Sequence, residues 1–356
     1  MNSLEQIIRP DILKMSAYHV ANLPNNCVKL DAMESPYELP DELKQELAQN
    51  LSNAPIRLYP NIATDSVIPQ LKQVFAIPKN AEVALGNGSD ELIQFITLLV
   101  ASPNAKVMAI EPTFVMYRRN AELFGAKYIG VNTCEDFSLD IDYVIEQIKQ
   151  HQPQLIFIAY PNNPTGIRYE KSDIEKIINT ATGLVVIDEA YGSFSSDSWI
   201  SQAGQIENLL VLRTFSKIGF AGLRVGYVSG CLKIIEQLRK ILPPYNMNQL
   251  GLAAVKFALQ HKEWIDNNIN KLKMEREILF AALEDIENIK VFASEANFLT
   301  VRVPNAQVCF DTLLESGFLI KNLHNAHPML ANCVRITIGK PEDNAAILKI
   351  FRKLYE

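Results

Sequence analysis

Little in this chain of 356 residues points to disulfides, metal or membrane. Five cysteines, Cys27, Cys134, Cys231, Cys309 and Cys333, are scattered without the paired spacing of a disulfide framework or a zinc site. Reduced thiols in a cytoplasmic protein fit that usage. Five histidines form no HExxH pattern; His324 and His327 share one loop-like stretch, and no metal is expected. The N-terminus lacks a basic region followed by an apolar core, so a signal peptide is not expected. The longest apolar stretch, around 95–101, is far short of the ~20 residues that span a bilayer. No tandem repeat or low-complexity segment is visible. A formal charge of −6 argues against a nucleic-acid partner, which normally meets a basic face.

What remains is ordinary globular composition, 48% apolar and 21% charged, in a chain long enough for two domains and a large core. The first 60 residues are rich in proline and loops, with one helix expected over 41–51. From about residue 70 to 230 the pattern alternates. Apolar runs at 107–110, 155–158, 184–187, 209–212 and 225–228 are separated by helical or mixed segments such as 140–150 and 171–180. Continuous apolar runs read as strands buried on both faces, hence an α/β fold with a mostly parallel central sheet and helices on each side. After about residue 242 the character changes. A long helical stretch over 250–286, strands at 298–303 and 333–338 and a closing helix over 344–355 read as a smaller α+β domain, with Val28-Lys29-Leu30 alongside. The expected division is a large domain at 50–245, and a small one made of 1–49 and 246–356.

Four polar clusters sit beside apolar runs, mostly at their C-terminal ends, the edge where open α/β sheets bind ligands. Lys217 follows Thr214 and Ser216, with Arg224 seven residues beyond it. Alone it would be a surface lysine after a strand. With two hydroxyls and a guanidinium beside it, it becomes an amine next to a phosphate site. Asp188 ends an apolar run. It either caps the strand or, as a buried carboxylate needing a partner, meets a cationic ring nitrogen. Tyr191 lies three residues on, and Asn163 follows the neighbouring strand; both suit a ring oxygen. In Gly86-Asn87-Gly88-Ser89-Asp90 a glycine turn opens a helix. The turn is either an ordinary capped one or a cup at Gly88, Ser89 and Asp90 whose backbone N–H groups face an anion. Phe114 is either core or a stacking ring. Arg335, inside an apolar strand, needs an anion, either a structural carboxylate or a substrate. An amine, a buried acid, hydroxyls and a guanidinium together suit pyridoxal 5'-phosphate (PLP), whose aldehyde an unprotonated lysine can capture.

These motifs, Asn-Pro-Thr-Gly at 163–166, Asp-Glu-Ala-Tyr at 188–191, Ser-Lys at 216–217 and Gly-Leu-Arg at 222–224, resemble in type and order those of the fold type I PLP-dependent aminotransferases, class II group. The resemblance covers most of the chain. It implies a homodimer in which Tyr59 reaches the PLP phosphate of the other subunit. It further implies that Arg335 binds the carboxylate of L-glutamate, and that Tyr18 and Lys321 meet a substrate phosphate. Lys321 falls where many relatives carry arginine, so its ammonium lacks the bidentate fork. The wording around 29–34, 59–60, 216–224 and 334–339 is most similar to the branch that passes the amino group of L-glutamate to imidazole-acetol phosphate. Ser35, Asn61 and Phe114 depart from that branch's usual Asn, acidic residue and Tyr, which bears on substrate preference and not on PLP chemistry. A threonine-phosphate decarboxylase or an aromatic amino-acid aminotransferase of the same fold would keep Lys217 and Asp188. A non-catalytic PLP sensor fused to a DNA-binding domain fits poorly, because the first 60 residues leave no room for one.

Overall fold

The computed structural model describes residues 4–17, 26–61 and 67–356, the side chains of the first two excepted. Thirteen strands lie among them: β1 (Val28–Lys29), β2 (Glu82–Gly86), β3 (Lys106–Glu111), β4 (Lys127–Asn132), β5 (Leu155–Ala159), β6 (Leu184–Asp188), β7 (Leu209–Thr214), β8 (Gly226–Gly230), β9 (Lys290–Phe292), β10 (Phe298–Arg302), β11 (Phe318–Leu319), β12 (Lys321–Asn322) and β13 (Cys333–Thr337). Seven form one sheet in the order β2-β8-β7-β6-β5-β3-β4. The pairs from β4 through β7 are parallel, and β8 runs antiparallel to both its neighbours. The continuous apolar runs are explained by burial: every residue of β5 is buried, as are Val185–Asp188 of β6. Helices cover both faces, as buried strands of this kind require. The reversed β8 is the one departure from a parallel reading. Its antiparallel course brings Arg224, just before its start, to the edge at which β2, β5, β6 and β7 end.

The second sheet is four-stranded and antiparallel, in the order β12-β13-β10-β9. β1 pairs in parallel with β11, which places the N-terminal segment against this part of the chain, as expected. The helical stretch expected over 250–286 is two helices, Gln249–Gln260 and Lys262–Glu284, with the break at His261, where φ and ψ leave the helical region. The apolar core runs without interruption from the large sheet to the small one. Ile156 and Val185 belong to the same packed cluster as Phe298 and Ile336. Among the described residues, no helix is long and apolar enough to cross a membrane, and no group of acidic, histidine and cysteine side chains could hold a metal ion.

Candidate active site

A cavity opens where β2, β5, β6 and β7 end. Its walls include Ser89, Asp90, Phe114, Asn163, Asp188, Tyr191, Thr214, Ser216, Lys217 and Arg224. Residues more than 130 positions apart in sequence thus meet in one place, because the strand ends that carry them share one edge.

Lys217 lines this cavity, its ammonium 3.0 Å from the carbonyl oxygen of Ala32 and over the ring of Tyr191. Burial, helped by the positive charge of Arg335, pushes its pKa down to about 8. An amine held there is unprotonated far more often than a surface lysine and is correspondingly nucleophilic. Asp188 ends β6 almost completely buried. Its Oδ1 accepts the backbone N–H of Ala190 at 3.0 Å, and its Oδ2 accepts the hydroxyl of Tyr117 at 2.7 Å. Desolvation outweighs both hydrogen bonds and pushes its pKa up to about 6. Tyr117 carries no motif in the sequence. The only signal that could have found it is its position one helical turn beyond Phe114, at the start of the helix Met116–Leu123 that leads away from β3.

Asn163 joins three groups. Its amide nitrogen donates to the Tyr191 hydroxyl at 3.3 Å, and its Oδ1 accepts Nη1 of Arg335 at 2.5 Å. Arg335 also donates Nη2 to the carbonyl oxygen of Asp31, 2.7 Å away. The guanidinium therefore comes from the small sheet and touches the rim of the large one. Thr300, its neighbour in register, makes a parallel link by donating its hydroxyl to the carbonyl of Pro164.

At the other end of the cavity the Thr214 and Ser216 hydroxyls are 2.9 Å apart, and Arg224 donates Nη1 to Ser216 and Nη2 to Asp90 at 3.0 Å. Gly88 must be glycine for two reasons. Its φ is +81°, and a Cβ there would stand 2.5 Å from the Arg224 guanidinium. The turn leads directly into the helix Gly88–Val100, so its first N–H groups and Arg224 converge on one anion-sized space. The carboxylate of Asp90 is turned onto Arg224 and is no wall of an anion cup in this conformation; what Asp90 offers an anion is its backbone N–H.

Two of the expected residues lie apart from this cluster. Tyr59 is 78% exposed, on a loop where its ring stacks on Tyr245 at 4.6 Å. Lys321 stands beside Arg335 in the small sheet and not in the cavity wall. Tyr18 lies outside the described residues. The residues that do converge fit a flat, phosphorylated pyridine aldehyde: hydroxyls, a guanidinium and helix N–H groups at one end, with a buried carboxylate and a buried amine of depressed pKa in the same walls. Phe114, packed edge-on against Tyr117 at 5.8 Å, supplies an apolar face for a ring.

The model of the family "Aminotransferase class I and II" matches residues 25–351. A curated histidinol-phosphate aminotransferase of Neisseria meningitidis serogroup B is 52% identical over 358 aligned residues, covering 100% of this chain and 98% of its own. That of Chromobacterium violaceum is 46% identical, with 99% of each chain covered. Among solved structures, histidinol-phosphate aminotransferase from Sinorhizobium meliloti in complex with pyridoxal-5'-phosphate superposes with a TM-score of 0.85 over 99% of each chain, at 20% identity, a likeness of fold.

Proposed function

This chain belongs to the aminotransferase class I and II family, and from that premise we propose that it moves an amino group from L-glutamate to imidazole-acetol phosphate, with PLP as cofactor, giving L-histidinol phosphate and 2-oxoglutarate in histidine biosynthesis. The observation that carries the reading is the meeting, in one cavity, of a buried amine with its pKa near 8 and a buried carboxylate, in a chain half identical end to end to histidinol-phosphate aminotransferases.

Bound PLP supplies an electron sink that stabilises negative charge at the substrate Cα. The roles of the chain's own residues follow from their placement. Thr214, Ser216, Arg224 and the N–H groups at Gly88, Ser89 and Asp90 hold the phosphate. Phe114 packs on the ring. Asp188 accepts the ring N–H and so keeps the nitrogen cationic. Tyr191 and Asn163 hold the ring oxygen. Lys217 would hold the aldehyde end of the cofactor through its amine. Freed by the incoming substrate, the same amine would serve as the base that takes the substrate Cα proton and as the acid that gives it back. Arg335 receives the carboxylate of L-glutamate, while Lys321 and Tyr18 receive the substrate phosphate. The reading includes a cytoplasmic homodimer completed by Tyr59 of the second copy. It keeps the division at 50–245 against 1–49 and 246–356, which the separate seven-stranded and four-stranded sheets support.

The test is the absorbance of purified protein on addition of L-histidinol phosphate alone. Loss of the cofactor's visible band, with return of the band on adding 2-oxoglutarate, is the expected result. Carbon dioxide release from threonine phosphate, or a response only to aromatic amino acids, would keep the fold and overturn the substrate assignment.

A further inference from the structure

Asp188 is held from a second side by a residue that no sequence motif marks. The Tyr117 hydroxyl donates to Asp188 Oδ2 at 2.7 Å, on the oxygen opposite the one that accepts the Ala190 N–H. Tyr117 is wholly buried, and its ring is clamped. It stacks on Phe157 at 4.5 Å with 2° between the planes, and Phe114 meets it edge-on at 87°. A phenol fixed in this way gives its hydroxyl one direction only. Tyrosine was chosen where phenylalanine would fill the same apolar slot, and the buried hydroxyl would be costly without its acceptor.

We infer that Tyr117 is a positioning residue for the reaction, its hydroxyl aiming Asp188 at the cofactor ring nitrogen and keeping that carboxylate ionised in a dry cavity. The inference rests on the reading above that Asp188 meets the ring nitrogen. The two hydrogen bonds occupy one lone pair on each carboxylate oxygen, fix the plane of the carboxylate and leave its cavity-facing lone pairs for the ring N–H. The electrostatics run the same way. Burial, then the like charges of Asp90 on the helix Gly88–Val100 and Glu189 at the end of β6, push the Asp188 pKa up, while Tyr117 and Ala190 pull it down. Tyr191, Lys217 and Arg224 line the same cavity. Without the Tyr117 hydroxyl the balance tips toward a neutral acid, which holds a cationic ring nitrogen poorly.

Tyr117→Phe keeps the ring stack and removes only the hydroxyl. A hydrogen bond to a charged group is worth enough that PLP affinity of the apoenzyme, read by fluorescence titration, should fall about ten- to a hundredfold at neutral pH. The pH below which affinity is lost should move up by about one unit, since ionised Asp188 is the competent form and its pKa rises when the donor goes. In the loaded enzyme kcat should fall with little change in KM for L-glutamate. A double-mutant cycle separates positioning from packing. In an Asp188→Asn background the same Tyr117→Phe change should alter PLP affinity less than about twofold. Tyr117→Phe affinity and pH limb within twofold and 0.2 units (roughly the error of such titrations) of the parent would overturn the inference, as would an equal loss in both backgrounds. If Asp188→Asn itself binds PLP and turns over normally, the Asp188 assignment fails first, which is a distinguishable result.

Discussion

Lys321 stands directly opposite Arg335 across the antiparallel pair β12–β13, and Thr300 stands opposite Arg335 on its other side in β10. Directly paired residues share a face of the sheet, with Cβ atoms about 5 Å apart. Thr300 and Arg335 reach the Asn163-Pro164 segment of the large sheet, so Lys321 is the third member of a row aimed at the cavity rim. Two cations side by side repel unless an anion joins them. A substrate carrying both a carboxylate and a phosphate, or a phosphate at a distance from the amino carbon, would satisfy the pair. Lys321→Met should therefore raise KM for L-histidinol phosphate by about tenfold, roughly the value of one charge-assisted contact, and leave KM for L-glutamate nearly unchanged. Lys321→Arg should retain or improve the phosphate substrate. Steady-state kinetics on both substrates check this, and equal losses on both would remove Lys321 from the phosphate role.

The Lys217 ammonium carries a pH signature of its own. Its pKa is pushed down to about 8, by burial first and then by the charge of Arg335. Capture of an aldehyde needs the free amine, so the rate at which apoenzyme takes up PLP should rise with pH and reach half its maximum near pH 8. Arg335→Met removes the second cause, and the half-point should then move to higher pH. A stopped-flow pH series on both proteins gives the answer; a half-point unmoved by Arg335→Met would mean that burial alone sets the amine. Lys217→Ala should lose covalent capture and at least roughly 10²–10⁴-fold in turnover.

Much of this was legible in the chain because the chemistry is written next to strand ends. Asp188, Asn163, Thr214 and Lys217 each lie at or just past a continuous apolar run, which reads as a strand buried on both faces. Two of the small sheet's four strands, β10 and β13, were legible as apolar runs, and Val28-Lys29-Leu30 was read as lying alongside that part of the chain. What was not legible depends on contacts between distant elements. The antiparallel course of β8 follows from its pairing with both β2 and β7, which apolar content does not encode. The break at His261 falls in the polar run Gln260-His261-Lys262-Glu263, where no glycine or proline marks the end of a helix. Tyr117 reads as core, since its hydroxyl matters only once β6 has brought Asp188 to it from 71 positions away. The turn of the Asp90 carboxylate onto Arg224 is likewise a long-range pairing, and a glycine-rich turn shows only that an anion can be approached.

Asp188 should cost the apoenzyme stability. Its folded pKa, about 6, lies above the ordinary value of 3.8, so between about pH 4 and pH 6 the folded state binds more protons than the unfolded one. Stability is then present below that window and is lost as pH rises through it. Asp188→Asn, which cannot ionise and can still accept the Ala190 N–H, should make the apoenzyme more stable at pH 7 by roughly 2–3 kcal/mol and no more stable at pH 4. On adding PLP the order should reverse, because the variant offers the cationic ring nitrogen no charge. Chemical denaturation at the two pH values, with and without PLP, tests each half. An Asp188→Asn apoenzyme less stable at pH 7 would show that the carboxylate is held for structure and not for the cofactor.

Tyr59 is far more exposed than a ring of its size needs to be, at 78%, and it has company: Ile56, Leu58, Tyr245 and Leu250 are exposed around it, while Gln249 ties the loop down through the Leu58 carbonyl. A cluster of exposed apolar side chains of this kind marks a contact surface. If the surface pairs two copies about a two-fold axis, each Tyr59 serves the other copy's cavity. The consequence is complementation. Tyr59→Ala should weaken PLP retention and Lys217→Ala should abolish capture, yet a dimer with one chain of each carries one site with both residues intact and one with neither. Refolding the two variants together should restore about a quarter of the parent activity per total site, since about half the dimers are mixed and each has one good site. Lys217→Ala refolded alone should stay inactive, and Tyr59→Ala alone should show only what its weakened PLP retention allows. Recovery no greater than the sum of the separate variants would place Tyr59 in its own chain's cavity, or outside the site, and would leave the dimer without a catalytic reason to exist.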